Sequence, residues 1–214
     1  MKQSPVSGKD RLHAPTGCET VVAGHHGQDE RGVRVPATID QILDQIDAML
    51  RAKKDLLLEG IDWQKRPRAG GFEALDFVAP VAVDGVVRNG LSVRITCRSD
   101  LCDCDVHAHL QIYVPAISAD ANVQRVEWRP NSRHTNDGKA PAALRFKTFT
   151  DRWHEFSLNR RLGIGALRQT VPMIAQDLPR PIADFNELLE FLGEVWNVEG
   201  VVRIPQPPWE GRII

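Results

Sequence analysis

From Phe72 to Phe149 apolar residues recur at every second position in short runs separated by turn residues, and this period most tightly constrains the fold. Successive side chains of a strand point to opposite faces, so such runs suit a sheet with one face buried. The runs are Phe72 to Val78, Val81 to Val87, Leu91 to Cys97, Cys102 to Val114, Val123 to Trp128 and Ala143 to Phe149. Asp84-Gly85, Asn89-Gly90 and the corner from Arg98 to Leu101 separate some of them with residues that tolerate tight turns. The pattern predicts an antiparallel meander of about five to six strands.

Parity assigns the faces, because a one-residue slip would turn every core side chain outward. Between Cys102 and Val114 one face holds Cys102, Cys104, Val106, Ala108, Leu110, Ile112 and Val114, and the other holds Asp103, Asp105, His107, His109, Gln111 and Tyr113. Leu91, Val93, Ile95 and Cys97 share a face opposite Ser92, Arg94 and Thr96. A four-residue corner would set Cys97 across from Cys102, Ile95 from Cys104 and Arg94 from Asp105. Five possible zinc ligands, Cys97, Cys102, Cys104, His107 and His109, are thus divided between two faces and cannot converge on one ion without breaking the strand. The expectation is three buried thiols, no metal and no cofactor; a Cys97–Cys102 disulfide would require oxidation.

Two helices flank the alternating region. Thr38 and Gln41 have the spacing of a capping box, and Ile39, Ile42, Leu43, Ile46, Met49, Leu50, Leu56 and Leu57 form one stripe that Gly60 ends. A second helix is predicted from Ile182 to Trp196, with Asp184 and Glu187 at its start, followed by an edge strand from Val201 to Ile204 and a proline-rich segment that lays Trp209 on the core. Residues 1 to 36 carry five glycines, His13, His25 and His26 but no apolar period, and are expected to form a flexible tail before a single α+β domain over 37 to 214, an antiparallel sheet packed against two helices. No apolar run approaches the roughly 20 residues that span a bilayer, and four cysteines suit a reducing compartment, so a cytoplasmic protein with no membrane partner is expected.

The formal charge of the chain is −1, but its distribution is uneven. Between Arg125 and Arg168 ten basic residues face four acidic ones, with Trp128, Phe146, Phe149, Trp153 and Phe156 among them. Cations interleaved with stacking surfaces suit nucleic acid; strand alternation would equally turn Leu144 and Phe146 inward, away from Arg145 and Lys147. Within this segment His134 and His154, with Arg152 beside the second, have the residue types for metal-independent phosphodiester cleavage. One imidazole would take the 2′-hydroxyl proton, the other would protonate the leaving oxygen, and the guanidinium would balance the charge.

The run Arg129-Pro130-Asn131-Ser132-Arg133-His134-Thr135-Asn136, followed by Thr148-Phe149-Thr150-Asp151-Arg152-Trp153-His154 and the helix around Phe185 to Trp196, resembles an uncharacterised bacterial and phage α+β domain family. It is also loosely similar to small toxins of toxin-antitoxin pairs. The resemblance spans the C-terminal half and implies a helix-closed domain in a prophage, defence or toxin-antitoxin setting. Where that family places His-x-His on the strand after the His-Thr-Asn element, this chain has Leu144-Arg145-Phe146. Two functions follow as expectations. The first is a non-enzymatic protein that binds nucleic acid or an acidic protein through Arg129, Arg133, Asn136, Arg145, Lys147, Arg152, Trp153, Arg160 and Arg161. The second is a ribonuclease-like toxin using His134, His154 and Arg152.

Overall fold

The computed structural model describes residues 37–68, 71–167 and 174–210, so the tail expected over residues 1–36 lies outside the described residues. In chain order the elements are α1 (Ile39–Arg51), β1 (Lys54–Leu56), β2 (Gln64–Pro67), β3 (Glu73–Val83), β4 (Val86–Arg98), β5 (Val106–Val114), β6 (Ala119–Trp128), β7 (His134–Thr135), β8 (Thr148–Phe149), β9 (Arg152–His154), α2 (Phe156–Arg160), α3 (Ile164–Leu167), β10 (Gln176–Asp177), α4 (Phe185–Trp196) and β11 (Val198–Glu199). Nine strands form one sheet in the order β10-β9-β6-β5-β4-β3-β1-β11, with β2 also on β3, while β7 and β8 form a separate two-stranded ribbon. Every pair is antiparallel except β1 with β11. The mixed α and β class is as expected. The sheet is wider than five to six strands, and among the described residues four α-helices stand where two were expected, because the additional elements are too short to leave a period in the sequence.

The expected runs Phe72 to Val78 and Val81 to Val87 are re-divided: β3 passes unbroken through Ala79-Pro80 and ends before the turn at Asp84-Gly85. The parity of β6 changes at a bulge opposite Leu110 and Gln111; otherwise β3 to β6 keep their apolar residues on one face. Leu75, Phe77, Val93, Ile95, Val106, Ala108, Leu110, Val126 and Trp128 are buried and form one core with Leu43 and Ile46 of α1 and with Phe185, Leu188, Leu189 and Leu192 of α4. Asp84 and Gly85, both at positive φ, make the tight turn between β3 and β4. Asn89-Gly90, in contrast, is no turn: β4 runs straight through it. Gly90 is required there for another reason, since a Cβ on it would stand 2.3 Å from the Tyr113 Cβ, and its φ is +77°.

The β4–β5 corner is also longer than four residues. Asp103 and Asp105 adopt positive φ in it, β5 begins at Val106, and the register sets Ile95 opposite Ala108 and Arg94 opposite His109. The assignment of residues to faces survives this shift, but Arg94 pairs with Asp76 of β3 (2.8 Å) instead of Asp105. Cys97 is buried, and desolvation pushes its thiol up to about 12; Cys102 is exposed and Cys104 half-buried in the corner. All three are free thiols, so burial holds for Cys97 alone.

The Thr38–Gln41 capping box forms as expected: Gln41 N–H donates to Thr38 Oγ1 (3.2 Å) and Thr38 N–H to Gln41 Oε1 (2.8 Å). However, α1 stops at Arg51, well before Gly60. The fully buried Lys54 turns back and donates to the carbonyls of Met49 (3.2 Å), Leu50 (2.7 Å) and Ala52 (2.6 Å), satisfying the helix end and freeing the chain to enter β1. Asp184 caps α4 by accepting from Glu187 N–H (2.9 Å). The edge strand expected from Val201 to Ile204 is a 3-10 turn over Val201–Arg203, and the neighbouring Val198–Glu199 pairs with β1 instead. Trp209 packs on the core with its ring edge-on to Phe185, centroids 5.6 Å apart.

Candidate functional site

The second face of the sheet is polar, and the register lines its side chains into two rows. One row runs Asp76, Thr96, His107, Glu127, Arg152; the next runs Val78, Arg94, His109, Arg125, His154. Glu127 is fully buried at the crossing of β5, β6 and β9. Arg125 Nη2 lies 2.6 Å from Glu127 Oε1 and Arg152 Nη2 pairs with Oε2, while His154 Nε2 stands 3.6 Å from Oε1 and His107 Nδ1 3.8 Å from Oε2. Burial raises the Glu127 pKa, but His154 and the charges of Arg125, His107 and Arg152 outweigh it and hold the carboxyl down to about 2. The ionised carboxylate therefore bridges two guanidiniums within the protein.

The hydrogen bonds also fix tautomers. Arg125 Nη2 donates to His107 Nδ1 (3.3 Å), so His107 Nε2–H donates to Asp105 (3.1 Å). His154 Nδ1–H donates to the Ile174 carbonyl (3.1 Å), and its buried Nε2, directed at Glu127, makes no hydrogen bond. Burial lowers the His154 pKa, and the Glu127 carboxylate facing Nε2 opposes that shift.

The 130–150 lobe lies beside this cluster and is fastened to it by buried polar side chains. Arg152 Nη1 donates to the carbonyls of Ser132 (2.7 Å) and Thr150 (3.1 Å), tying together the two ends of the lobe. Asn136 donates to the carbonyls of Leu144 (3.0 Å) and Ala175 (2.8 Å) and accepts from Ala175 N–H (2.8 Å) and from His134 Nε2 (3.2 Å). In the β7–β8 ribbon His134 faces Phe149, and the half-buried His134 ring meets His154 edge-on with centroids 5.1 Å apart. Two histidines twenty residues apart in sequence are thus neighbours in space.

The remaining sequence-predicted residues are dispersed. Arg129 stacks on Trp128 and donates to the carbonyls of Asp103 (3.3 Å) and Ala183 (2.9 Å). Trp153 lies on the apolar side of β9, bonded to Gln124 (2.8 Å) and edge-on to Phe191. Arg160 pairs with Asp44 of α1 (2.8 Å), and Arg161 donates to the Lys139 carbonyl (3.1 Å). Arg152 and Asn136 are interior, so they hold the lobe instead of facing a partner. Arg133, Arg145 and Lys147 are exposed on the lobe.

Phe146, between Arg145 and Lys147, is the residue that alternation misplaces. The strand expected over Ala143 to Phe149 is a turn up to Phe146, followed by β8 alone; Phe146 sits at φ +59° with its side chain outward, 69% exposed. Its ring passes the Asp137-Gly138 turn, where a Cβ on Gly138 would be 3.8 Å from Cζ. Among the described residues no group of three or more His, Cys, Asp and Glu side chains is placed to hold a metal ion, and no helix is long and apolar enough to cross a membrane. Comparison of the chain with family models, curated proteins and solved structures finds no match.

Proposed function

We propose that the protein binds single-stranded nucleic acid on the 130–150 lobe, in the prophage, defence or toxin-antitoxin setting that the sequence resemblance implies. The observation that carries this reading is Phe146, an aromatic side chain 69% exposed, in a left-handed backbone conformation that few side chains adopt, with a cation on either side. A solvent-facing aromatic ring offers a π-face to any base, and Arg145, Lys147 and Arg133 offer charge to the phosphates. The buried anchors Arg152 and Asn136 hold that surface in a defined shape, so little ordering remains to oppose binding.

Fluorescence anisotropy with labelled single-stranded oligonucleotides tests this. Stacking contributes about 1–3 kcal/mol per base, so Phe146→Ala is expected to weaken binding by roughly 5- to 160-fold. Arg145→Glu with Lys147→Glu is expected to lower the slope of log K against log salt by about 1.4, because two phosphate contacts are lost. Absence of binding at about 50 mM salt would defeat the nucleic-acid reading and transfer the surface to an acidic protein.

A further inference from the structure

We propose that the same lobe cleaves the RNA it binds, with His134 as the group that moves the proton and His154 as its positioning partner. This inference rests on the nucleic-acid reading above. Four side chains form a connected line from the interior to the lobe: Glu127, His154, His134 and Asn136. His154 is sealed inside with its Nδ1–H on the Ile174 carbonyl, so it touches no substrate, but its ring forms the floor against which the His134 ring stands. Asn136 Oδ1, itself fixed by Ala175 N–H, takes the His134 Nε2–H and leaves Nδ1 with the lone pair a general base requires. Lys147, whose carbonyl accepts from Asn136 N–H (3.0 Å), directly precedes β8 and is exposed on the same lobe, next to Phe146. A base, a cation and a stacking ring carried by one lobe are the parts that transesterification of RNA uses.

The step balances without a co-reactant. His134 Nδ1 takes the proton of a 2′-hydroxyl as the O2′–P bond forms; Lys147 balances the charge gathering on the phosphoryl oxygens. The imidazolium returns the proton to the 5′-oxygen as the P–O5′ bond breaks, leaving a 2′,3′-cyclic phosphate and a 5′-hydroxyl end. No metal takes part in this step, and DNA, lacking the 2′-hydroxyl, is bound and left intact.

The test incubates the full chain with an end-labelled single-stranded RNA and with the DNA of the same sequence, in EDTA, and scores both binding and product ends. Cleavage of RNA alone, yielding cyclic-phosphate ends, is expected, with a 100- to 10,000-fold loss of rate in His134→Gln. His154→Asn is expected to displace the pH–rate profile of the cleavage, which a merely structural residue would leave in place; His134→Gln, at a half-buried position, keeps the test valid if that variant fails to fold. RNA and DNA both bound with RNA intact would overturn the cleavage and leave the binding reading standing. Undiminished cleavage by His134→Gln, or loss of cleavage in EDTA, would overturn it as well, and failure to bind either strand would overturn both readings.

Discussion

His109 shows how a single position on the polar face sets the response of the protein to acid. Its Nδ1 is shut away from water with no hydrogen-bond partner, and burial, reinforced by Arg125 and His107, holds its pKa down to about 3 against an ordinary 6.5. As pH falls from 6.5 towards 3 the unfolded chain takes up a proton at this ring that the folded chain refuses. Stability is therefore lost on acidification through that window, by about 1.4 kcal/mol per pH unit, and is unaffected by this residue above it. His154, lowered by burial, acts in the same direction below 6.5, and Glu127 adds stability that is present above 4.5 and lost as pH falls towards 2. His109→Gln is expected to remove one proton from the slope of unfolding free energy against pH between 6 and 4, read from urea midpoints at a series of pH values. An unchanged slope would show that His109 is hydrated in the folded chain.

At the level of elements, helix ends and strand ends are decided by side chains that reach across them. The apolar stripe of α1 continues through Leu56 and Leu57, yet Lys54 closes the helix on three carbonyls and Asn197, at the end of α4, donates to the carbonyls of Arg51 and Ala52 (both 3.0 Å). Burial lowers the Lys54 pKa to about 8, which still leaves an ammonium at neutral pH to face the negative end of the helix. Lys54→Met preserves the stem but leaves the carbonyls of Met49 and Leu50 without this donor. It is expected to destabilise the protein by about 1–3 kcal/mol in urea unfolding, the cost of leaving part-buried acceptors without a donor. A change below about 0.5 kcal/mol would mean that water replaces the ammonium. The β7–β8 ribbon obeys the same logic: with two residues per strand it has no lateral support of its own, and Asn136 and Arg152 hold it in place.

For the whole molecule, the C-terminal segment joins elements distant in sequence. The Pro205 carbonyl accepts from Trp63 Nε1 (2.8 Å), Trp209 lies edge-on to Phe185, Glu210 N–H donates to the Ser99 carbonyl (2.7 Å), and the Glu210 carboxylate pairs with Lys65. Trp209→Ala is expected to lower the urea midpoint by an amount equivalent to about 2–3 kcal/mol with little change in m, since a large core contact is removed from a cooperative unit. A lower m would instead indicate that the segment unfolds separately.

The sequence alone determined the mixed class, the apolar and polar faces of the long strands though not their ends, the caps at Thr38 and Asp184, and the seat of Trp209, because each is encoded in residues at most a few positions apart. Alternation even separated His107 and His109 from the apolar face without their roles being visible. Tertiary structure decided the strands of two to four residues, whose pairing is set by partners as far away as β1 and β11, and the early end of α1, which depends on a buried ammonium. It also decided which charged residues are interior. Arg125 and Arg152 belong to the same basic run as Arg145 and Lys147, yet two of the four surround a buried carboxylate and two face solvent. No local pattern distinguishes them, because the burial of a charge depends on the counter-charge that a neighbouring strand brings. The meeting of His134 with His154 depends on strand register in the same way, and the outward turn of Phe146 on one residue entering a left-handed conformation that breaks the alternation its neighbours imply.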